Sequence, residues 1–277
     1  MTATTTPDLE VPRDRYGRPL LVPPGGGDPQ PYTRASTMAK ALDDLSNLMA
    51  WRQRMTAVGL LRRPDLMTRV AGALANGTPD DWPVKRELNK VCAEATEAAG
   101  ASSAASTGTG IHALVEAIAN GREPEHVPTD VAPRLDAYRE AIDRAGVTVI
   151  GTEQFVVNDE VKAAGTFDQL IRLPDGRVVV GDLKTGKSEA SYPLAVCIQI
   201  AVYAHGLRYH LDTHERTPIH PDLDPTTGVL IHMPPSGGCS LYRLDLSIGW
   251  EAAQLAAKVR EVRSLKAEQI AQEVRSA

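Results

Sequence analysis

Two aspartates and a lysine lie near the ends of one short segment, GTFDQLIRLPDGRVVVGDLKTG, which spans residues 165–186. Two β-branched and apolar runs flank the turn residues Pro-Asp-Gly, and this pattern predicts a β-hairpin. In such a hairpin, Asp168 near the start of the first strand and Asp182 near the end of the second lie at the same end. Lys184 follows Asp182 by two residues, so both side chains should point to one face. Two carboxylates and an ammonium at one place are costly in a core, but they suit a hard divalent cation.

Four other polar side chains are candidates for the same site. Glu153 interrupts an apolar strand, so it faces either the hairpin or solvent at a sheet edge. His112 falls in the first turns of a helix, where a histidine is either a ligand or an ordinary packed residue. Gln199 and Tyr203 are four residues apart on an apolar helix and therefore share a face. Buried there, they need partners, either substrate and catalytic groups or structural hydrogen bonds.

The composition of the 277 residues is that of a globular protein, with 42% hydrophobic and 23% charged residues. The formal net charge of −5 gives no global basic field for nucleic acid, although clustered site carboxylates would themselves lower the charge. Cys92, Cys197 and Cys239 are far apart, which argues against disulfides and a cysteine-rich metal site. Neither a signal peptide nor a membrane span is evident, and we expect a cytoplasmic protein.

The order of predicted elements indicates an α/β protein with three regions. Residues 1–34 are rich in Pro and Gly and are predicted to be a disordered arm. Residues 35–105 are predicted to form an N-terminal helical region. Residues 106–277 contain the order helix, three strands, helix, strand, followed by a C-terminal helix. This order predicts an αβββαβ core with a mixed central sheet.

A basic cluster in the helical region is a candidate phosphate-binding surface. Arg52 and Arg54 are followed by three more arginines within 17 residues of sequence, with Asp65 as the single nearby acid. The alternative is a solvated helix face, because clusters of like charge are common on protein surfaces.

Four short motifs occur in order along the chain: Gly-x-x-x-His at 108–112, Gly-x-x-Asp at 165–168, Asp-x-Lys-Thr at 182–185 and Gln-x-x-x-Tyr at 199–203. Together they resemble the PD-(D/E)XK nuclease superfamily, specifically its RecB-like exonuclease branch. The resemblance covers about residues 106–235 and implies a restriction-endonuclease-like fold. Phe167 stands where proline is common in the family. The chain also lacks the four cysteines of the relatives that carry an iron–sulfur cluster, so no such cluster is expected.

The resemblance implies a DNA nuclease that depends on Mg²⁺ or Mn²⁺, of the exonuclease type that acts in recombination and repair. It implies DNA as substrate, and as partners a single-strand annealing or recombinase protein and further copies of the chain. It would place a phage-encoded protein in the host cytoplasm. The implied catalytic residues are Asp168, Asp182, Lys184 and Glu153; the implied metal ligands are His112, Asp168, Asp182 and the Leu183 carbonyl; the implied substrate contacts are Gln199, Tyr203 and Thr185, to which the basic cluster adds Arg52 and Arg54.

Two alternatives remain open from the sequence. Residues 181–188, GDLKTGKS, match the phosphate-binding P-loop pattern and follow a predicted strand. A P-loop requires a helix to begin at Lys187 and Ser188, whereas Pro193 predicts a later start. The second alternative is a module that binds DNA without cleaving it and keeps only the nuclease fold.

Overall fold

A computed structural model describes residues 11–101 and 103–271, with side chains at all of these positions except 103–107. The chain divides into two compact units, Met1–Asp43 with Ile111–Ala277, and Asp44–Gly110. The helices are α1 (Ala35–Ala39), α2 (Ser46–Arg62), α3 (Pro64–Leu74), α4 (Trp82–Ala98), α5 (Ser103–Ala119), α6 (Ala132–Ala145), α7 (Leu194–Ala204), α8 (Leu246–Arg263) and α9 (Ala267–Ile270). The strands are β1 (Leu20–Leu21), β2 (Gln30–Pro31), β3 (Thr33–Arg34), β4 (Thr148–Asn158), β5 (Ala163–Arg172), β6 (Val178–Lys184), β7 (Leu207–Tyr209), β8 (Arg216–Thr217), β9 (Leu223–His232) and β10 (Ser240–Asp245).

The main sheet belongs to the first unit. Within the described residues it contains eight strands, in the order β10-β9-β6-β5-β4-β7-β8, with β3 attached to β5. The β5–β6 hairpin is antiparallel, and β6 pairs in parallel with β9. The chain segment that connects β6 to β9 contains α7. Helix, β4, β5, β6, α7 and β9 reproduce the predicted αβββαβ order. The predicted α/β class with a mixed central sheet is confirmed.

Helices cover both faces of the sheet, and the side chains of β6 pack against the helices on both sides. Val178 and Val180 pack in the cluster that includes α1, α7 and α8. Val179 and Leu183 pack in the opposite cluster, which includes α5 and α6. A strand alternates its side chains between the two faces, so a run of apolar residues is required where both faces are covered. Asp182 therefore faces the α7 side.

The predicted disordered arm is wrong for residues 11–34; residues 1–10 lie outside the described part of the chain. β1 pairs with β2, and β3 pairs in parallel with β5. Leu21 and Tyr32 are buried against Val157, Ala164 and Tyr209. The arm carries few apolar residues, without periodicity, and it is ordered because the completed sheet provides partners for those few.

An ion-pair network also holds the arm. The Tyr32 hydroxyl donates to Asp159 Oδ1 at 2.6 Å, and Arg216 Nε donates to Asp159 Oδ2 at 2.6 Å. Arg216 also donates through Nη2 to the Val22 carbonyl at 2.8 Å. These contacts could not be predicted from local sequence, because the residues of the arm and their partners are more than 100 residues apart.

The second unit is a small helical unit built from α2, α3 and α4. Leu66, Val91 and Ala95 form its buried cluster. At Gly59, a side chain would collide with the Ala95 carbonyl, so glycine is required where α2 crosses α4. Arg69 links α3 to α4 through ion pairs.

The boundaries of the regions differ from those predicted at residues 34 and 105. The helix α1 packs with the sheet core rather than with the other N-terminal helices. The helix α5 begins at Ser103, before the predicted boundary at residue 105. The predicted C-terminal helix is divided, since α8 ends at Arg263 and α9 begins at Ala267. Among the described residues, no helix has the length and apolar character needed to cross a membrane.

Candidate active site

The candidate site forms where β5 and β6 separate. Their pairing extends from Arg172 and Val178 to Gln169 and Gly181 and goes no further. Asp168 is the next residue of β5, and its Oδ2 accepts a hydrogen bond from the Leu183 backbone N–H at 2.6 Å. A side-chain carboxylate thus replaces the missing strand partner and is held at the open end of the hairpin.

Asp182 and Lys184 form an ion pair on the α7 face of β6. The Lys184 ammonium contacts Asp182 Oδ2, and the Asp182 side chain is only 1% exposed. Burial and the nearby Asp168 carboxylate raise the pKa of Asp182. Burial lowers the pKa of Lys184, but the Asp182 carboxylate more than offsets this effect and the pKa is raised. We assign the pair as charged, because the ammonium directly contacts the carboxylate.

Gln199 and Tyr203 of α7 contact the same aspartate. Gln199 Nε2 donates to Asp182 Oδ1 at 3.0 Å and to the Tyr203 hydroxyl oxygen at 3.2 Å. Burial raises the pKa of Tyr203, which keeps the phenol neutral. Gly165 is the glycine of the Gly-x-x-Asp motif. A side chain there would be too close to α7, because an added Cβ would lie 3.0 Å from the Tyr203 hydroxyl oxygen. The expected shared face is present, and the partner of Gln199 is a site carboxylate.

His112 approaches from α5, in the layer on the other face of the sheet. Its Nδ1 lies 3.5 Å from Asp168 Oδ2. Burial alone lowers the pKa of His112, but the Asp168 carboxylate outweighs it and the pKa is raised. Val115, on the same helix, is buried among the side chains that anchor α5 to the sheet. The packing of one face of α5 against the sheet therefore positions the His112 imidazole beside the Asp168 carboxylate.

Glu153 reaches the same place from β4 through unusual backbone geometry. Its neighbours Thr152 and Gln154 pair with Gln169 and Phe167, which places Glu153 opposite Asp168. Its φ of 47° is unfavourable for a residue other than glycine and costs about 1–3 kcal/mol. Burial of the carboxyl group, and then the Asp168 carboxylate, raise the pKa of Glu153 to about 7. Strain of this kind persists where surrounding structure enforces it, often at functional sites.

A small surface pocket lies where His112, Glu153 and Asp168 meet. It is lined by His112, Val115, Glu116, Glu153, Asp168, Gln169 and Leu183. The pocket lies beside the buried Asp182–Lys184 pair, since Asp168 contacts the backbone of Leu183 between them. An acidic, partly enclosed opening next to a lysine suits a cation together with an anionic substrate.

Gln169 was not among the predicted site residues, and Glu116 was considered only as a residue that either orients His112 from the same helix face or is solvated. Gln169 lines the pocket, and its side-chain amide exchanges hydrogen bonds with the buried Tyr138 hydroxyl. Glu116 lines the pocket and faces Glu153, whose pKa it helps to raise. A glutamine within an apolar strand is the available signal for Gln169, because a buried amide needs a partner.

The remaining predicted residues do not join the network of hydrogen bonds and ion pairs described above. Thr185 follows β6 directly and is half-buried. Arg52 and Arg54 lie in the second unit, where both are exposed on α2. Among the described residues, neither guanidinium forms a salt bridge.

The P-loop interpretation of residues 181–188 is wrong on geometry. After β6 the chain passes through turns and bends, and α7 begins only at Leu194. Lys187 and Ser188 therefore have no helix N-terminus beside them to receive a phosphate. Pro193 directly precedes the helix, which explains its late start.

The donor groups fit a hard divalent cation in their chemistry. Asp182 Oδ2 is buried and, within the described residues, accepts no hydrogen bond with acceptable geometry, so the Lys184 ammonium is its compensation. Carboxylate oxygens with an imidazole nearby are ligands that Mg²⁺ or Mn²⁺ accepts. In the described part of the chain, however, no group of three or more His, Cys, Asp or Glu side chains is arranged to hold a metal ion.

Comparison with known proteins does not assign the chain. A scan against protein-family models found no match, and neither did a search of curated proteins.

Proposed function

We propose that this protein is a metal-dependent deoxyribonuclease, an exonuclease of a DNA recombination or repair system. The observation that carries the proposal is the convergence of Asp168, Asp182 and Lys184 at the opening of the β5–β6 hairpin. His112 and Glu153 reach Asp168 from α5 and β4, and Gln199, bonded to Tyr203, reaches Asp182 from α7. The motif resemblance to RecB-like exonucleases supports the choice of DNA as the substrate.

The proposed cation site uses Asp168, Asp182 and His112, with the Leu183 carbonyl as a further oxygen ligand. When bound, Mg²⁺ or Mn²⁺ activates water for attack and offsets phosphate charge. Phosphodiester hydrolysis places additional negative charge on the phosphate oxygens in the transition state. Because Lys184 shares the face of Asp182, its ammonium is placed to stabilise that charge.

The other residues act by positioning. Gln199 holds the orientation of Asp182 through its amide, and Tyr203 holds Gln199. Glu153 faces the pocket from the opposite side of Asp168 and is placed to orient the attacking water. Thr185, Arg52 and Arg54 are the proposed substrate contacts. A cytoplasmic location and a single-strand annealing or recombinase partner follow from the resemblance.

The decisive experiment incubates purified protein with end-labelled linear and circular DNA, with Mg²⁺, with Mn²⁺ and with EDTA. We expect the linear DNA to be degraded only when the metal is present. Lys184→Ala should abolish degradation, whereas Lys187→Ala, three residues later, is the matched control and should retain it. Equal degradation by wild type and Lys184→Ala, in preparations free of contaminating nuclease, would contradict the assignment.

The second candidate function is a DNA-binding module without cleavage. The contact of the Lys184 ammonium with Asp182 Oδ2 favours it, because the lysine neutralises that carboxylate without a cation. Such a module should bind DNA equally in EDTA and in Mg²⁺ and never shorten it.

A further inference from the structure

An apolar stripe runs along the outer side of α8. Ile248, Leu255 and Val262 lie seven residues apart and are 57%, 56% and 52% exposed. Val259 lies between the last two on the same side. In an α-helix, residues seven apart are rotated by only about 20°, so these side chains form one line. We call these four residues the α8 stripe.

The stripe is not the face that attaches α8 to its own chain. Leu246, Gly249, Ala253 and Ala256 are buried on the other side of the helix. At Gly249 a side chain would collide with the Cys197 backbone, which shows how closely that side packs on α7. The helix therefore has one satisfied face and a second apolar line with the spacing of helix–helix seams.

Two opposite charges border the stripe on one side. Glu251 and Lys258 are also seven residues apart, and both are exposed. In its own chain Lys258 contacts Glu261 at 2.8 Å, and both side chains are 68% exposed. If two copies of α8 pack antiparallel and cross near Leu255, Glu251 of each copy approaches Lys258 of the other. In a parallel pair the two charged edges would lie on opposite sides of the seam, so Glu251 of one copy would not meet Lys258 of the other.

We infer that the α8 stripe is a homodimerisation surface, on which two copies of the chain pair antiparallel around a two-fold axis near Leu255. A two-fold interface must be self-complementary, and the opposite charges beside the stripe meet this requirement. A single helix pair buries little area, so the dimer should dissociate on dilution. This inference does not depend on the proposed nuclease function.

The first test measures the mass of the full-length protein by sedimentation over a range of concentrations. The wild type should change from monomer to dimer as concentration rises. Leu255→Asp places two carboxylates at the centre and should raise the dimer dissociation constant at least about 100-fold. Leu61→Asp, at a leucine of α2 that is 84% exposed, is the control and should dimerise normally.

The second test uses charge and protects against a variant that fails to fold. Glu251→Lys and Lys258→Glu should each weaken the dimer, and the double exchange should restore it. A wild type that stays monomeric, or a Leu255→Asp protein that dimerises like the wild type, overturns the inference. Loss of the dimer in Leu61→Asp, or single exchanges without effect, overturns it as well.

Discussion

Asp182 is held by two different kinds of contact. Gln199 donates a hydrogen bond to one carboxylate oxygen, while the Lys184 ammonium neutralises the other. A buried carboxylate is costly without such compensation, because charge is removed from water. The same contacts keep the carboxylate fixed for a ligand. Removing either partner should therefore affect stability as well as activity.

Replacing Asp182 and replacing Lys184 should have different effects on the free energy of unfolding. In Asp182→Asn, Gln199 can still donate to the new side-chain oxygen, and Lys184 can turn its partly exposed ammonium to water. In Lys184→Met, the Asp182 carboxylate stays buried without its cation. We expect both variants to lose DNA cleavage by at least about 100-fold. Lys184→Met should in addition lower the free energy of unfolding by about 2 kcal/mol more than Asp182→Asn.

Urea unfolding and a cleavage assay measure both effects. Asp175→Asn, in the exposed turn of the same hairpin, is the control and should retain cleavage. Greater destabilisation by Asp182→Asn than by Lys184→Met would contradict the description of the pair.

At the scale of elements, β1 to β3 depend on one cluster of polar contacts. Arg216 joins Asp159 to the Val22 carbonyl, and its side chain is only 11% exposed. Arg216→Met should lower the free energy of unfolding by about 2 kcal/mol, because it leaves Asp159 without its cation. Backbone amide exchange should accelerate at Leu21 and Tyr32 and remain slow in β5 and β6. Equal acceleration in both places would show that the contact supports the whole fold rather than the arm.

The helix α2 gives a separate prediction about substrate binding. If Arg52 and Arg54 contact DNA phosphates, replacing both with alanine should reduce the salt dependence of binding. The slope of log K against log[salt] should become smaller by about 2, since each phosphate contact contributes about one unit. Arg63→Ala is the control, because that guanidinium is already paired with Asp65 at 2.6 Å. An unchanged slope in the double variant would assign the two arginines to a solvated surface.

At the scale of the whole molecule, a bound cation should stabilise the fold. A ligand that binds only the folded state at 100 times its dissociation constant adds about 2.7 kcal/mol. Thermal unfolding of the wild type should therefore shift upward with Mg²⁺ or Mn²⁺ and return in EDTA. Asp182→Asn should abolish the shift, whereas Asp175→Asn should keep it. The absence of any shift in the wild type would contradict the metal site, independently of catalysis.

The antiparallel hairpin and its turn were predictable from local patterns. The two β-branched and apolar runs and the residues Pro174-Asp175-Gly176 suffice, and Gly176 has the positive φ of 90° that such a turn uses. The positions of Asp168, Asp182 and Lys184 relative to one another follow from the same strand geometry. Gln199 and Tyr203 share a face because of helical spacing.

Other features could not be predicted from the sequence, because they depend on contacts between residues that are far apart along the chain. The sequence could not show that Glu153 has a positive φ, since the pairing of β4 with β5 enforces it. It could not show the order of residues 11–34, whose few apolar side chains are buried only against distant strands. It also placed the beginning of α5 too late, in an Ala/Ser-rich stretch with little periodicity.

The sequence by itself therefore determined which residues are suited to chemistry and which of them lie on a common strand or helix face, because those relations depend only on local backbone period. The tertiary structure decided which of these faces meet. His112 approaches Asp168 from α5 on one face of the sheet, and Asp182 lies near Asp168 but faces α7 on the other, at the point where the pairing of β5 with β6 stops after Gln169 and Gly181. The elements that meet there are far apart in the sequence, so no short segment encodes their meeting.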